Sequence, residues 1–281
     1  MNWNGAGDTL ACLDSLERQE YVALKVFVVD NGSTDDSVER IRRAHPEVTV
    51  LCTGENLGFA CGTNAGLRHA YADGFEYFWL LNNDTLCPPD NCSKLIRKAL
   101  ATPEAGIVGS VLRYMHDPSQ VQAWGGGQVN ARLGRTSHAH EPFTPTRDSY
   151  MTFASALIPR RVLERVGVLW EGYFMYWDDS DFALRTTAAG FALTVAEDTA
   201  ILHKEGGSTA PKSPRTDRYS TASGLHFLDR HSPVPLLSKA WFLATKIVAR
   251  LLRRQLKNAR AVWAAMGDYR QQRRRTYSQN L

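Results

Sequence analysis

A chain of 281 residues, 43% hydrophobic and 22% charged, has the composition of an ordinary globular protein, which excludes collagen-like, coiled-coil and disordered classes. At roughly 150 residues per domain it holds one large domain, or one domain with an appendage. The net charge of +4 conceals a split: residues 239–275 carry eleven Lys/Arg against Asp268 alone, a net +10, leaving 22 basic and 28 acidic residues, −6, elsewhere. A mildly acidic body with a strongly basic tail points to an anionic surface, membrane or nucleic acid, as the tail's partner. No run of 18 apolar residues exists to span a bilayer. The five cysteines are irregularly spaced, and the first residues show neither a basic start nor an apolar stretch. They read as reduced thiols, and Cys87 with Cys92 lacks the second pair or His cluster of a zinc site.

In chain order, Lys25 to Asp30 is a nearly continuous apolar run, the pattern of a strand buried on both faces. The polar turn Asn31-Gly32-Ser33-Thr34-Asp35-Asp36 follows, then a helix from Ser37 to His45 that Pro46 ends. Val48 to Cys52 is expected as a strand, Ala60 to Ala72 as a helix stopped by Asp73-Gly74, and Phe75 to Leu81 as a strand ending in Asn82-Asn83-Asp84. Asp90 to Leu100 reads as helix and Gly106 to Tyr114 as strand. This alternation predicts an α/β fold with a mainly parallel central sheet. Val121 to Thr144 is expected to form loops and short strands, Ser149 to Pro159 one strand, and Arg160 to Val166 a short helix. Asp181 to Ala189 reads as helix, with separate strands at Phe191 to Ala196 and Ala200 to His203.

Ligands of such sheets sit beyond the carboxyl ends of the strands, and two strands end there in polar clusters, at Asp30 and at Asn82. Asn82-Asn83-Asp84 offers a carboxylate and two amides, suited to a divalent cation shared with a diphosphate, although such triplets are common in turns. Asp178, Asp179 and Asp181 follow the aromatic run Tyr173 to Trp177. Carboxylates at a helix start are expected from capping and the helix dipole; beside Trp177 one of them is also suited to a raised pKa and general-base work, with spacing leaving open which. Asn56-Leu57-Gly58-Phe59 to Asn64-Ala65-Gly66 has glycines at four-residue intervals. It fits either phosphate approach or tight helix-on-sheet packing, and is neither a dinucleotide fingerprint nor a P-loop.

Taken together, Val29 to Asp35, Asn56 to Gly66, Leu80 to Thr85 and Tyr176 to Phe182 resemble family 2 glycosyltransferases of GT-A fold, most closely the rhamnosyltransferase-like branch. The resemblance covers residues 1–235, leaving 236–281 as a basic tail. It implies an inverting transfer of a sugar, rhamnose in this branch, from a nucleoside-diphosphate donor such as dTDP-rhamnose to a glycan or lipid-linked acceptor in cell-surface polysaccharide synthesis. Asp30 then reads the pyrimidine base with Asn31 and Ser33 nearby, and Asn4, Asn56, Gly58, Asn64, Asn82 and Asn83 complete the nucleotide-sugar side. Asp84 matches the metal-binding end of the family's Asp-x-Asp motif, whose first position is Asn82 here. With His203 it implies Mg²⁺ or Mn²⁺, and the following Gly206-Gly207-Ser208 resembles a segment that closes over the diphosphate. Asp179 matches the catalytic base, with Trp124, Trp177, Asp178 and Asp181 on the acceptor side.

Two departures from the family stand out. Met1 already lies in a turn that a strand precedes in relatives, so the first strand is expected to be missing, its neighbours to carry unpaired edges, and the true start to lie upstream. Ala222 and Ser223 replace an Arg-Asn pair. The competing readings are a nucleotidyltransferase, which lacks its Gly-rich loop with Lys or Arg here, and a truncated, inactive, membrane-attached sugar-nucleotide-binding protein.

At 100° per residue, Trp241, Val248, Leu251, Leu252, Leu256 and Trp263 fall on one half of a wheel spanning 239–266, with Lys246, Arg250, Arg253, Arg254, Lys257 and Arg260 on the other and Phe242 and Leu243 as misfits. This reads as one amphipathic helix that either docks on the body or a partner subunit, or binds an anionic membrane. The membrane reading places the protein in the cytoplasm, peripheral on the inner face of the cell membrane. Nucleic acid is not expected, since no recognisable module precedes the tail, and the oligomeric state, a homo-oligomer included, stays open.

Overall fold

The computed structural model describes residues 1–204 and 213–279, with side chains to residue 273. The first half alternates as its patterning requires: α1 (Ala6–Glu17), β1 (Phe27–Asp30), α2 (Ser37–Ala44), β2 (Thr49–Cys52), α3 (Phe59–Ala72), β3 (Tyr77–Leu81), β4 (Thr85–Leu86), α4 (Asn91–Ala101) and β5 (Ala105–Tyr114). Then come β6 (Val121–Trp124), β7 (Gly126–Asn130), β8 (Arg135–His138), β9 (Ser149–Met151), β10 (Ser155–Pro159), α5 (Arg160–Val166), α6 (Asp178–Ala188) and β11 (Ala192–His203). Three helices close the described chain: α7 (Pro214–His231), α8 (Pro235–Leu252) and α9 (Leu256–Gln279).

The strands form a mixed sheet in the order β3-β10-β5-β11-β4, with β6 beside β5. β3, β5 and β11 run the same way, and β10 lies antiparallel between β3 and β5. The expectation of a mainly parallel sheet therefore holds for the direction of β3, β5 and β11 and for the β5–β11 pair, while β10, β4 and β6 pair antiparallel. Continuous apolar runs such as Ser155–Pro159, buried throughout, report cover on both faces and are silent on direction. The expected single strand at 149–159 is two. β9 joins the small sheet β8-β7-β9, and Thr152, held by Gly125 O at 2.9 Å, marks where the chain crosses to the main sheet. Conversely, the two strands expected at 191–203 are one, with irregular register between Ala196 and Ala200.

β1 and β2 form their own parallel pair. Between β1 and β3 lies an apolar cavity of about 460 Å³, bordered by Val28, Leu67, Phe78, Leu80 and Leu157. Among the described residues the edge of β1 facing it is met only by Asn2, which donates to Val29 O and accepts from Asn31 N, each at 2.8 Å. The β1–β2 pair thus stands apart from the main sheet across this cavity.

One core runs through both halves. Ile107, Ile158 and Phe182 share it with Leu225, Phe227 and Phe242 of the C-terminal helices. Ser213 caps α7, its side chain accepting from Thr216 N with Pro214 in the first turn.

The tail corrects the helical-wheel reading. It is two helices, broken at Arg253-Arg254-Gln255, where Arg254 has φ 56°. The wheel also faces the other way at its centre. Phe242, the misfit, is 4% exposed and anchors α8 in the core. Lys246 and Arg250, from the basic half of the wheel, follow at i+4 and i+8 on the same side. Lys246 reaches Ser220 and Thr221, and Arg250 reaches Asp217 at 2.7 Å. Periodicity defines faces but not which one the body covers. Trp241, Val248, Leu252, Leu256 and Trp263 consequently stand exposed. All five cysteines are free thiols, three of them buried.

Candidate active site

A cleft of about 910 Å³ opens beyond the ends of β1 and β3. Its first wall is a clamp around the end of β1. Asp30, 3% exposed, accepts from Asn2 Nδ2 at 2.8 Å, Ser33 Oγ at 2.6 Å and Ser33 N at 3.0 Å. Ser33 Oγ in turn accepts from Asn4 N, and Asn4 Oδ1 from Thr34 N, each at 2.8 Å. Asp30 and Ser33 thus stand behind the surface, while Asn4 lines it.

Asn31 holds the next loop. Its Nδ2 donates to Asn56 Oδ1 (3.2 Å) and Gly58 O (3.0 Å), and its Oδ1 accepts from Leu57 N at 3.1 Å. Gly58 has φ 83°, and a Cβ there would stand 2.4 Å from Phe174 O, because Phe59 N donates to that carbonyl at 2.7 Å. Glycine is required at this crossing of the α3 start with the loop before α6. Gly58→Ala is expected to destabilise by about 2–4 kcal/mol, combining backbone strain with overpacking, measurable by thermal denaturation.

At the end of β3, Asp84 Oδ1 lies 3.3 Å from His203 Nε2, both side chains 13% exposed. Gln122 Oε1, 2.7 Å from His203 Nδ1, can only accept, so Nδ1 carries the ring proton. Asn82 Nδ2 lies 3.4 Å from Nε2. Burial would raise the Asp84 carboxyl, but its hydrogen bond with His203 and the charge of that ring outweigh it and hold it below the usual carboxylate range. A carboxylate and an imidazole nitrogen on one wall are also the donor types of a divalent-cation site, and Gln122 supplies the orienting contact that histidine ligands commonly have. Asn83 Nδ2 donates to Thr9 Oγ1 at 2.8 Å. Among the described residues, a three-ligand cluster with metal-binding spacing occurs elsewhere, at Asp14, Glu17 and His45, none of which lines the cleft. The segment at Gly206-Gly207-Ser208 lies outside the described residues.

The three acids at the start of α6 have three different fates. Tyr176 and Trp177, both at φ 72°, turn the chain into the helix in a conformation unusual for aromatic residues. Trp177 is pinned by stacking on Phe227 (centroids 4.5 Å apart) and by donating Nε1 to Ser220 O at 3.1 Å. Asp179 lines the cleft; burial pushes its carboxyl up to about 6, against the pull of hydrogen bonds from Ser180 N and Oγ. Burial, with the charge of Asp179, pushes Asp178 well above the carboxylate range, and its Oδ1 has no partner. Asp178 is therefore a neutral neighbour and Asp179 the group ready to ionise. Asp181 turns away from the cleft: its carboxylate accepts from Arg185 Nε (2.8 Å), Arg230 Nε (2.8 Å), His231 Nε2 (2.7 Å) and Tyr173 OH (3.3 Å).

The structure thus brings Asn4, Asn31, Asn56, Gly58, Asn82, Asn83, Asp84, Trp177, Asp178, Asp179 and His203 onto one cleft. Three expected residues are corrected. Asn64 is fully buried between α3 and Leu169, donating to its O (2.8 Å) and accepting from its N (3.0 Å). Trp124 is held on β6, away from the cleft lining, and Asp181 is an ion-pair hub. Residue type at a motif position carried no sign of the internal partners of Asn64 and Asp181. Tyr150, hydrogen-bonded to His138 Nδ1 at 2.8 Å and raised by burial and by Asp179, joins the lining unforeseen, as does Lys246. Asn2, the bridge between β1, Asp30 and Thr9, was legible only as part of a turn.

This architecture is shared with solved nucleotide-sugar transferases and defines a GT-A-like fold. The mannosyltransferase PcManGT from Pyrobaculum calidifontis, in complex with GDP-Man and Mn²⁺, aligns over 95% of this chain and 72% of its own, with TM-score 0.59 and 22% identity. S. aureus TarS 1–349 in complex with UDP-GlcNAc aligns over 96% and 79%, with TM-score 0.58 and 15% identity. Residues 2–167 match the sequence profile of Glycosyl transferase family 2, and the chain belongs to that family. It is 26% identical over 268 residues to the N-acetylglucosaminyl-diphospho-decaprenol L-rhamnosyltransferase of Mycobacterium tuberculosis, covering 84% of this chain and 86% of the relative. It is 26% identical over 222 residues to the dTDP-rhamnosyl transferase RfbF of Shigella flexneri, covering 75% and 73%.

Proposed function

We propose that this glycosyltransferase moves rhamnose, with inversion, from dTDP-rhamnose to a hydroxyl of a lipid-linked saccharide. One observation carries the reading: Asp179, a buried carboxylate poised near 6, lines the same cleft as the Asp84–His203 pair. The donor's nucleoside lies against the Asn4–Asn31–Asn56 wall. Asp84 and His203 would hold Mg²⁺ or Mn²⁺, which when bound offsets the charge growing on the departing diphosphate. Asp179 takes the proton from the acceptor hydroxyl as its oxygen bonds to the anomeric carbon and the bond to the diphosphate breaks. The rhamnosyltransferase relatives support the sugar, and the decaprenol-linked relative supports the acceptor class.

The test is transfer from dTDP-rhamnose to a diphospholipid-linked N-acetylglucosamine with Mg²⁺ or Mn²⁺, and again in chelator. Metal-dependent product is expected. Donor binding without transfer or donor hydrolysis would instead identify a non-catalytic sugar-nucleotide-binding protein.

No helix of the described residues is long and apolar enough to cross a membrane. Our reading places the protein on the inner face of the cell membrane through α8 and α9. Exposed Trp241, Val248, Leu252 and Trp263 would enter the headgroup region beside Arg253, Arg254 and Lys257, which are also exposed. The protein is expected to float with vesicles containing anionic lipid and to release at high salt. Replacing both Trp241 and Leu252 by Ser should lower partitioning about 10-fold or more. Indifference to lipid charge would remove this reading.

A further inference from the structure

Four cations of α7 and α8 meet carboxylates: Arg218 with Asp268, Arg230 with Asp181, Lys239 with Asp229 and Arg250 with Asp217. Lys246 meets hydroxyls. Its Nζ donates to Ser220 Oγ and Thr221 Oγ1, each at 3.0 Å, and stands 4.8 Å from the Phe242 ring centroid. Among the described residues it forms no ion pair, and the nearby Asp217 has its oxygens engaged by Arg250 and Asn258. An ammonium has three N–H donors, so beyond the two hydroxyls one donor is left, and the charge faces the Phe242 ring and Asp217 without a direct ion pair. Burial pushes the group down to about 8 despite the pull of Asp217, the mark of a cation short of an anion.

Lys246 lines the cleft, and it does so on the side of Asp179. Ser220, whose hydroxyl it binds, accepts from Trp177 Nε1 through its carbonyl, and Phe242 packs 6.3 Å from the Trp177 ring. Arg135, exposed on β8, lines the same cleft; its hairpin carries His138, the partner of Tyr150, which feels the charge of Asp179. The donor's diphosphate has its own place at Asp84 and His203.

We propose that Lys246, assisted by Arg135, binds a phosphate or diphosphate ester of the acceptor. The inference rests on the functional reading above, in which the acceptor enters at Asp179. It adds the group by which the acceptor is selected, an anion next to its sugar. On the outer side of α8, about 120–160° around the helix from Lys246, Trp241, Val248 and Leu252 are exposed. That arrangement matches a ligand that joins an anionic group to an apolar chain.

The test compares the full chain with Lys246→Met, Lys246→Arg and Arg135→Ala. Two acceptors carry the same sugar, one as a prenyl diphosphate and one as a neutral alkyl glycoside. Lys246→Met should raise KM for the diphosphate acceptor about 10- to 100-fold, the usual worth of a hydrogen bond to a charged group. The rise should exceed that for the neutral glycoside at least 10-fold, with donor KM little changed. Lys246→Arg should recover most of the loss, and Arg135→Ala, a surface change, should show a smaller rise of the same selectivity. Equal losses on both acceptors, or a rise in donor KM instead, would overturn the assignment. A binding arm separates this proposal from the function itself: wild type should bind farnesyl diphosphate more tightly than farnesol, and Lys246→Met should lose that preference while still binding dTDP. That result upholds the subsite even where no transfer is detected, whereas a wild type indifferent to the diphosphate refutes it.

Discussion

Asp179→Asn is expected to lower kcat by about 10²–10⁴-fold, the usual contribution of a general base, while leaving donor binding in place. The amide keeps the shape of the side chain and its contact with Ser180 but cannot accept the acceptor's proton. The pH profile provides the second readout. Burial raises Asp179 to about 6, and a base works only when deprotonated. Activity should therefore rise with pH through about 6 and level above it, and Asp179→Asn should lose this acidic limb. Asp178→Asn is the informative control. Asp178 is already held neutral by burial and by the Asp179 charge, so an amide there mimics its working state and should retain the acidic limb. A normal rate for Asp179→Asn would discard the assignment of the base.

Asp181→Ala should have the largest effect on stability. Its carboxylate is fully buried and joins Arg185, Arg230 and His231, tying α6 to α7. Removing it leaves two guanidinium groups without their anion, a change that costs about 3–5 kcal/mol. In a chain of this size that corresponds to a melting temperature lower by roughly 10 °C. Burial alone would raise the Asp181 carboxyl, but His231, Arg185 and Arg230 outweigh it and hold it well below the usual carboxylate range. A depressed folded-state value means the contribution is complete above the unfolded carboxylate value of about 4 and is lost as pH falls below it. Wild type should therefore lose stability in that acidic window, and Asp181→Ala should lose less. Donor KM unchanged alongside a lowered melting temperature would mark Asp181 as structural, contrary to its motif-based place beside the acceptor.

The neighbouring positions 178, 179 and 181 show how far a motif reads. The run Trp177-Asp178-Asp179-Ser180-Asp181 was enough to place acids at a helix start beside an aromatic side chain, and the helix does begin at Asp178. The family resemblance singled out Asp179, but the ion-pair role of Asp181 was not legible. It depends on Arg230 and His231, 49 and 50 residues further along. Asn64 shows the same limit: its type and spacing suited a ligand contact, and its amide is consumed by the Leu169 backbone.

The C-terminal helices carry the lesson further. A 3.6-residue period marks an apolar and a basic side whatever lies next to them, so amphipathicity was visible in the residues. Orientation was not, because Phe242 contributes one large ring to a core already formed by Phe227 and Trp177. Once that ring is seated, Lys246 and Arg250 are carried inward at i+4 and i+8 and Trp241 outward. Strand ends, the glycine crossing at Gly58 and the paired polar clusters leave marks in residue type and short spacing, since double-sided burial, positive φ and turn chemistry are local requirements. The facing of α8, the reversal of β10 and the ion-pair role of Asp181 arise from contacts between distant segments, whose energies are comparable for several local patterns until packing selects among them.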